Sequence, residues 1–389
     1  MNTNARGKAA AKPLSLAVIG GCLRSAVGYA HFVACRMDRR WSIEAGCFSV
    51  DGLDNRETAL AYGVAAERTY QDWRAMLAVE NRKVDAVLIV SPTPLHAEMV
   101  IAGLEAGLPV ICEKSLAVSS SEARSIIAAR DANKGFVAVT YNYSGYPMVR
   151  ELRRLIVDGR LGKILHFQAE MPQEGFIRVD ADGNKPAPQP WRLSDGEIPI
   201  IYLDLAAHLH QLIYHLIRQQ PFSVVADHAS GGWFHEIVDN VMCIARYSDD
   251  VQGQFWFSKS ALGHRNGLNL RIYGSEGSAE WCQANPEELL LAFSDGRREI
   301  LDRASAVSVA NQLRYNRFKS GHPAGFLEAF ANLYADIADC LLAYRATGEW
   351  HSEEVYGADL AFDGLRFLEA MAKSAKTSAW CKVAQWDEL

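Results

Sequence analysis

Two polar pairs, some ninety positions apart, have the residue types and spacing that acid–base chemistry needs. The first is Glu113-Lys114, a carboxylate and an amine closing the apolar run 108–112. A continuous apolar run of that length suits a strand inside a parallel sheet, covered on both faces. Ligands of open α/β sheets bind beyond the carboxyl ends of the strands, so this pair is expected at the ligand crevice. The plainer alternative is an ion pair on a solvated loop. The second pair is Asp204 and His208. Four apart on a helix, they share a face, where a carboxylate can orient an imidazole and stabilise its charged form. An imidazole held that way is a general base. The alternative is a helix whose histidines simply tile its surface, which is the expectation for His210 and His215.

The elements that must position these residues follow a strand–helix alternation over the first 140 positions. Residues 14–19 read as a strand running into Gly20-Gly21, with Gly28 further on and a helix over 26–38. Strand, glycine turn and helix form the setting of a dinucleotide fingerprint, in which the backbone approaches a pyrophosphate lying on helix N–H groups. The copy is imperfect. Cys22 stands at the second glycine of GxG, and the loop to Gly28 is long. A mere strand–helix turn is the alternative. Residues 43–48 form a second strand, and Asp51 follows Gly28 by 23 positions. An acid at about that distance would bind the ribose 2′-hydroxyl of NAD. Ser49 would instead tolerate the 2′-phosphate of NADP, with Arg56 as its partner; NAD is the expectation. Asp51 also reads as an exposed turn residue beside Gly52.

Helices are expected over 54–62, 72–79, 96–106 and 119–131, and strands over 86–90 and 136–141. Ser91 and Pro92 end the third strand, and prolines there and at the next helix start are accepted punctuation. The alternation argues for a doubly wound parallel sheet, a Rossmann dinucleotide-binding domain over 14–142. From Tyr146 the pattern changes. A helix over 147–157 precedes strands at 164–170, 223–227, 238–247, 251–258 and 268–273. Runs of adjacent, alternating strands imply an α+β domain over 143–389 with a large, mostly antiparallel sheet. Residues 174–189 are polar and rich in Gly, Pro and Asp, a loop over the cleft.

The totals narrow the classes. At 389 residues the chain exceeds what one core supports, so two domains are expected. A hydrophobic fraction of 49% and a charged fraction of 22% describe an ordinary globular protein. A net charge of -6 gives no footprint for nucleic acid or for an anionic membrane. The eight cysteines show neither CxxC pairs nor zinc spacing, so no metal is expected and a reducing, cytoplasmic setting is. Residues 1–13 read as a disordered leader without the apolar core of a signal peptide.

The constellation resembles the Gfo/Idh/MocA family, the relatives of glucose–fructose oxidoreductase and inositol dehydrogenase. The residues that carry the likeness are Val18-Ile19-Gly20-Gly21 with Gly28-Tyr29-Ala30-His31, and Ser91-Pro92-Thr93-Pro94-Leu95-His96. Cys112-Glu113-Lys114-Ser115-Leu116-Ala117, Trp191-Arg192 and the D-x-x-x-H of Asp204 to His208 continue it. Their order matches over nearly the whole chain, including a closing helix over 358–374. Tyr141 to Pro147 and Gly321-His322-Pro323 resemble a bacterial subgroup of unassigned sugar oxidoreductases.

The resemblance implies a nicotinamide-dependent dehydrogenase of a secondary alcohol in a sugar, cyclitol or glycoside. It also implies assembly as a homodimer or homotetramer through the open sheet, and final helices that pack back on the first domain. In this reading His208 takes the hydroxyl proton, Lys114 stabilises charge on the same oxygen, and Asp204 orients the site. Trp191 and Arg192 are expected near cofactor and substrate. His322 is a substrate candidate or a plain helix-start residue. His96 either meets the nicotinamide region or is a buried structural histidine, and Asn142 is similarly open. Two departures stand out: Ser115 replaces a proline, and Glu197 to Tyr202 replaces a glycine-rich run, which reshapes the substrate pocket. The alternatives on this scaffold are an NAD-dependent glycosidase working by oxidation and elimination, and a non-catalytic nucleotide-binding sensor.

Overall fold

In the computed structural model, which describes residues 12–384, the first third of the chain builds a five-stranded parallel sheet. Its strands are β1 (Leu14–Gly20), β2 (Trp41–Cys47), β3 (Ala86–Val90), β4 (Val110–Cys112) and β5 (Val137–Val139). They lie in the order β2-β1-β3-β4-β5. Every residue of β3, β4 and β5 is buried, as a sheet covered on both faces requires. The cover comes from α1 (Gly28–Met37), α2 (Gly52–Tyr62), α3 (Trp73–Glu80), α4 (His96–Glu105) and α5 (Ser120–Ala132). Strand order reverses between β1 and β3, and a crevice opens beyond their carboxyl ends. The leader expected over 1–13 lies outside the described residues except for Lys12 and Pro13.

Helix α6 (Pro147–Val157) leads to β6 (Ile164–Pro172) and the second sheet. A helical stretch through Tyr202–Ala206 and α7 (Ala207–Ile217) then precedes β7 (Ser223–Ala229), β8 (Asn240–Arg246), β9 (Gln252–Ser258) and β10 (Asn269–Gly274). Next come β11 (Gly277–Cys282), β12 (Asn285–Phe293) and β13 (Arg298–Leu301). The sheet has nine strands, counting the short β14 (Cys381–Lys382). All its pairings are antiparallel except β6 with β9.

The last four of these strands were not expected. In β12 the run Glu287-Glu288-Leu289-Leu290-Leu291-Ala292 is made of good helix formers, and pairing with β11 and β13 overrides that preference. Helices α8 (Phe326–Thr347) and α9 (Ala358–Thr377) close the chain. Phe330, Leu333 and Ile337 of α8 share a core with Leu16, Val18 and Leu88 of the first sheet. Helix α9 packs across α5 and β7, tying the two sheets together. Among the described residues, no helix is long and apolar enough to cross a membrane.

Candidate active site

The turn after β1 is built for a close approach of backbone. Gly20 and Gly21 take φ +81° and +69°, a left-handed pair that other residues resist. A Cβ on Gly20 would stand 2.6 Å from the Val90 carbonyl oxygen, and one on Gly28 would collide with the Gly21 backbone. Side chains are thereby excluded, and the N-terminus of α1 is left open toward an anion. From this turn a cavity of about 520 Å³ runs past Ser49, Ser91, Pro92, Glu113 and Lys114 to Trp191, Arg192 and Asp204. A glycine cradle at the strand-order reversal, joined to a cleft of that size, fits a dinucleotide.

Some expected residues do not reach this cavity. Asp51 caps α2 through Oδ1, which accepts from the Leu53 and Asp54 N–H groups, and it does not line the cavity. Arg24 lines the cavity instead and pairs with Asp54 at 3.1 Å. His96 is buried, its ring spanning the carbonyls of Ser115 at 2.7 Å and Ser91 at 2.8 Å. It clamps two cavity turns together. Asn142 is buried, and its amide nitrogen has no partner. His322 is exposed on the loop before α8, where Arg303 holds its carbonyl, so the substrate role expected for it has no geometric support.

At the cavity floor the two polar pairs meet, in an arrangement the spacing did not foretell. Tyr202–Ala206 winds as a π-helix, a wider turn than the α-helix that the D-x-x-x-H reading assumed. Asp204 accordingly makes no hydrogen bond to His208. Lys114 Nζ donates to the Asp204 carbonyl at 2.6 Å and to its Oδ1 at 3.0 Å. Arg192 and Lys259 each reach Oδ2 at 2.7 Å. Burial alone would raise this carboxyl, but Lys114, Lys259 and Arg192 hold it well below the usual carboxylate range. Ser115 Oγ donates to the Leu203 carbonyl at 2.9 Å, fastening the Lys114 turn to the π-helix. Ile200 lines the cavity where the family reading expects glycine.

His208 sits behind this floor, buried, with its ring edge-on to Tyr143 at 4.6 Å between centroids. Nδ1 has no hydrogen-bond partner. Burial, reinforced by the Lys114 charge, lowers it to about 3, so the imidazole is neutral. Its electrostatic neighbours are Lys114, Glu113 and Asp204, which places it at the same centre. Glu113 Oε1 meets His31 Nε2 at 3.2 Å and accepts from the Thr140 hydroxyl. Burial would raise it, yet His31, Lys114 and Thr140 bring it to about 2. His31 Nδ1 in turn meets the Tyr334 hydroxyl at 2.7 Å, extending the network to α8.

Sequence reasoning missed Lys259, Tyr143 and Thr140. Lys259 directly follows β9, and a lysine ending an alternating strand is indistinguishable from a solvated one until that strand is placed beside β6.

The fold and the site define a class: a two-domain oxidoreductase with a dinucleotide crevice and a lysine–aspartate–histidine centre. Residues 14–141 match the oxidoreductase family with an NAD-binding Rossmann fold, and residues 149–280 match the GFO/IDH/MocA C-terminal domain. An uncharacterized oxidoreductase of Bacillus subtilis, YfiI, is 31% identical over 382 residues, covering 95% of this chain and 96% of that protein. The chain belongs to the Gfo/Idh/MocA family and is an NAD-binding oxidoreductase. A levoglucosan dehydrogenase of Pseudarthrobacter phenanthrenivorans is 27% identical, over 62% of this chain and 66% of its own length. An inositol dehydrogenase homolog from Azotobacter vinelandii, solved with NADH and myo-inositol, superposes with a TM-score of 0.85 at 27% identity. That match covers 96% of this chain and 98% of the other.

Proposed function

We propose that the protein is a dehydrogenase that moves a hydride between NAD and a secondary alcohol or ketone of a sugar, cyclitol or glycoside. The observation that carries this reading is Lys114, fixed by two bonds to Asp204 at the floor of the cavity that the glycine turn opens. When bound, the nicotinamide supplies the hydride acceptor or donor. The chain's own residues handle the proton and the charge. An ammonium has three N–H donors; Asp204 takes two, and the third is directed to the carbinol oxygen. There it stabilises negative charge as the C–H bond weakens. His208, neutral and close to Lys114, takes the hydroxyl proton, and Asp204 and Glu113 offset the imidazolium that results. His96 braces the Lys114 turn within the first domain, and Ser115 ties it to the second.

The Gly20-Gly21 turn and the α1 N-terminus hold the pyrophosphate. Ser49 is assigned to the ribose, Ser91 and Pro92 wall the crevice, and Asn142 offers its unpaired amide near the end of β5. Trp191, stacked on its neighbour Arg192 at 4.3 Å, is assigned to the substrate side. Copies of the chain associate through the outer face of the second sheet, where Met242 and Ile244 are exposed.

The test is reduction of NAD by a panel of sugars, cyclitols and glycosides, with Lys114→Ala and His208→Ala in parallel. Reduced cofactor should form with one substrate class, and each variant should lose about 10³-fold in rate while still binding NADH. Near-normal turnover in either variant would remove its residue from the mechanism.

A further inference from the structure

Lys114, Arg192 and Lys259 all converge on the single carboxylate of Asp204. The side chains of both lysines are 12% exposed and that of Arg192 is 22% exposed, so water offers them little screening. Glu113 is the neighbouring carboxylate, and its Oε1 meets His31 and Thr140. The other acids near Lys259 keep their charge but make their hydrogen bonds elsewhere. Asp195 accepts from the Ile200 and Val238 N–H groups, and Asp239 from the Gly231 and Gly232 N–H groups and the Ser260 hydroxyl. Glu174 pairs with Arg178 and Arg265. At Asp204 itself three cations meet one carboxylate in a nearly dry site, and the remaining N–H groups of Arg192 and Lys259 suit a second anion.

Neutral polar groups continue from Lys259 toward the base. Lys259 Nζ donates to Gln173 Oε1 at 3.3 Å, and Gln173 Nε2 donates to Asn266 Oδ1 at 2.8 Å. Asn266 Nδ2 donates to the Tyr143 hydroxyl at 3.2 Å, and Tyr143 packs on His208. Amides and a phenol suit hydroxyls, whereas Arg192 and Lys259 suit a carboxylate, and both cations have N–H groups to spare beyond Asp204.

We infer, building on the dehydrogenase reading, that the substrate is a sugar carboxylate, an aldonate or uronate. Its carboxylate lies against Arg192 and Lys259, its reacting carbinol lies between Lys114 and His208, and Lys259 is the residue that sets this preference.

The experiment compares matched pairs that differ only in the anion: D-glucuronate with D-glucose, D-galacturonate with D-galactose, and D-gluconate with D-glucitol. D-glucose 6-phosphate is the arm for a phosphate. NADH formation gives kcat/KM, and quenching of tryptophan fluorescence in the enzyme–NADH complex reads binding without turnover. The carboxylate of a productive pair is expected to win by on the order of 10²-fold in kcat/KM, with the advantage shrinking as salt is added. Lys259→Met should bring the pair within about tenfold, chiefly through KM, and Lys259→Arg should restore most of the gap. A neutral sugar used as well as its carboxylate overturns the inference, as does a phosphate preferred over the carboxylate. Equal losses on both members of a pair in Lys259→Met would also overturn it, because Lys259 would then act only through Asp204. Reduction of NAD by no member at all, with NADH still bound, would instead count against the dehydrogenase reading. Carboxylate-specific quenching in that case would still support the charge assignment, and its absence would overturn it.

Discussion

Acid should unfold this protein before it protonates the candidate base. Helix α7 carries three fully buried histidines. Burial and the Lys114 charge bring His208 to about 3, and burial brings His210 to about 4 in spite of its bond to Gln220. Burial and the charges of Arg153, Arg150 and Arg218 hold His215 well below the ordinary histidine range. In the unfolded chain all three return to about 6.5. Between about pH 6.5 and 4 the unfolded state therefore binds more protons than the folded one, so stability rises with pH and is lost as pH falls. At pH 5 one such group has given up about 2 kcal/mol relative to neutral pH. Three together approach about 6 kcal/mol, comparable with the whole stability margin of a typical domain. Below about pH 4 the depressed carboxyls of Glu113 and Asp204 add to the loss, since they must be protonated on unfolding. The assay is urea unfolding by circular dichroism at half-unit steps from pH 8 to 5, with kcat/KM measured in the same buffers. Stability should fall steeply below pH 6.5, with His210→Gln and His215→Phe each flattening the slope by about one proton. Where the protein remains folded, kcat/KM should show no histidine ionisation near 6.5. An acid limb near 6.5 in folded enzyme that His208→Gln abolishes would refute the reasoning, and so would stability that is level from pH 7 to 5.

Three further outcomes follow from named contacts. Gly28→Ala puts a Cβ into the Gly21 backbone, so NADH affinity in a fluorescence titration should fall at least about tenfold; unchanged affinity would take the turn out of the cofactor site. Asp204→Asn leaves three cations without their shared anion, and should cost about 3–5 kcal/mol in urea unfolding and about 10²-fold in turnover. A variant as stable as the wild type would mean that the carboxylate does not hold the cluster. Met242→Asp with Ile244→Asp should lower the sedimenting mass if the outer sheet face joins copies of the chain, whereas an unchanged mass places association elsewhere.

The first domain was legible because its signals are local. The buried strands are short apolar runs, three of them stopped by glycine, proline or a charged pair, and three of the helices begin at a capping residue, Asp51, Asp72 or Ser119. The second sheet was half legible. Strands β7 to β9 alternate as one-sided strands do, but β12 is written in helix formers and is a strand only because β11 and β13 flank it. At the site, Lys114, Asp204 and His208 stood out by type and spacing, while their mutual geometry did not. Spacing alone implied a carboxylate–imidazole pair, but a π turn depends on packing, and it gives Asp204 to three cations instead. Asp51 carried two readings in the sequence for a related reason: the same short carboxylate that can meet a ribose can cap a helix, and its Oδ1 accepts from the Leu53 and Asp54 N–H groups.

The joint between the domains explains why the lysine and the histidine can act on one atom although they come from different sheets. Lys114 extends from the end of β4, and His208 extends from a helix that covers the other sheet. Nothing in the parallel sheet fixes their separation. Two contacts do, Lys114 on the Asp204 carbonyl and the Ser115 hydroxyl on the Leu203 carbonyl, while His96 on the Ser115 carbonyl braces the turn within the first domain. The Asp204 and Leu203 carbonyls both belong to the π-helix, and each has a second lone pair with which to accept a bond from outside the helix. The serine that replaces the family's proline thus contributes a bond that a proline side chain has no donor to make. The π turn both hands Asp204 to the cations and offers its backbone as the fixed edge against which the Lys114 turn is set.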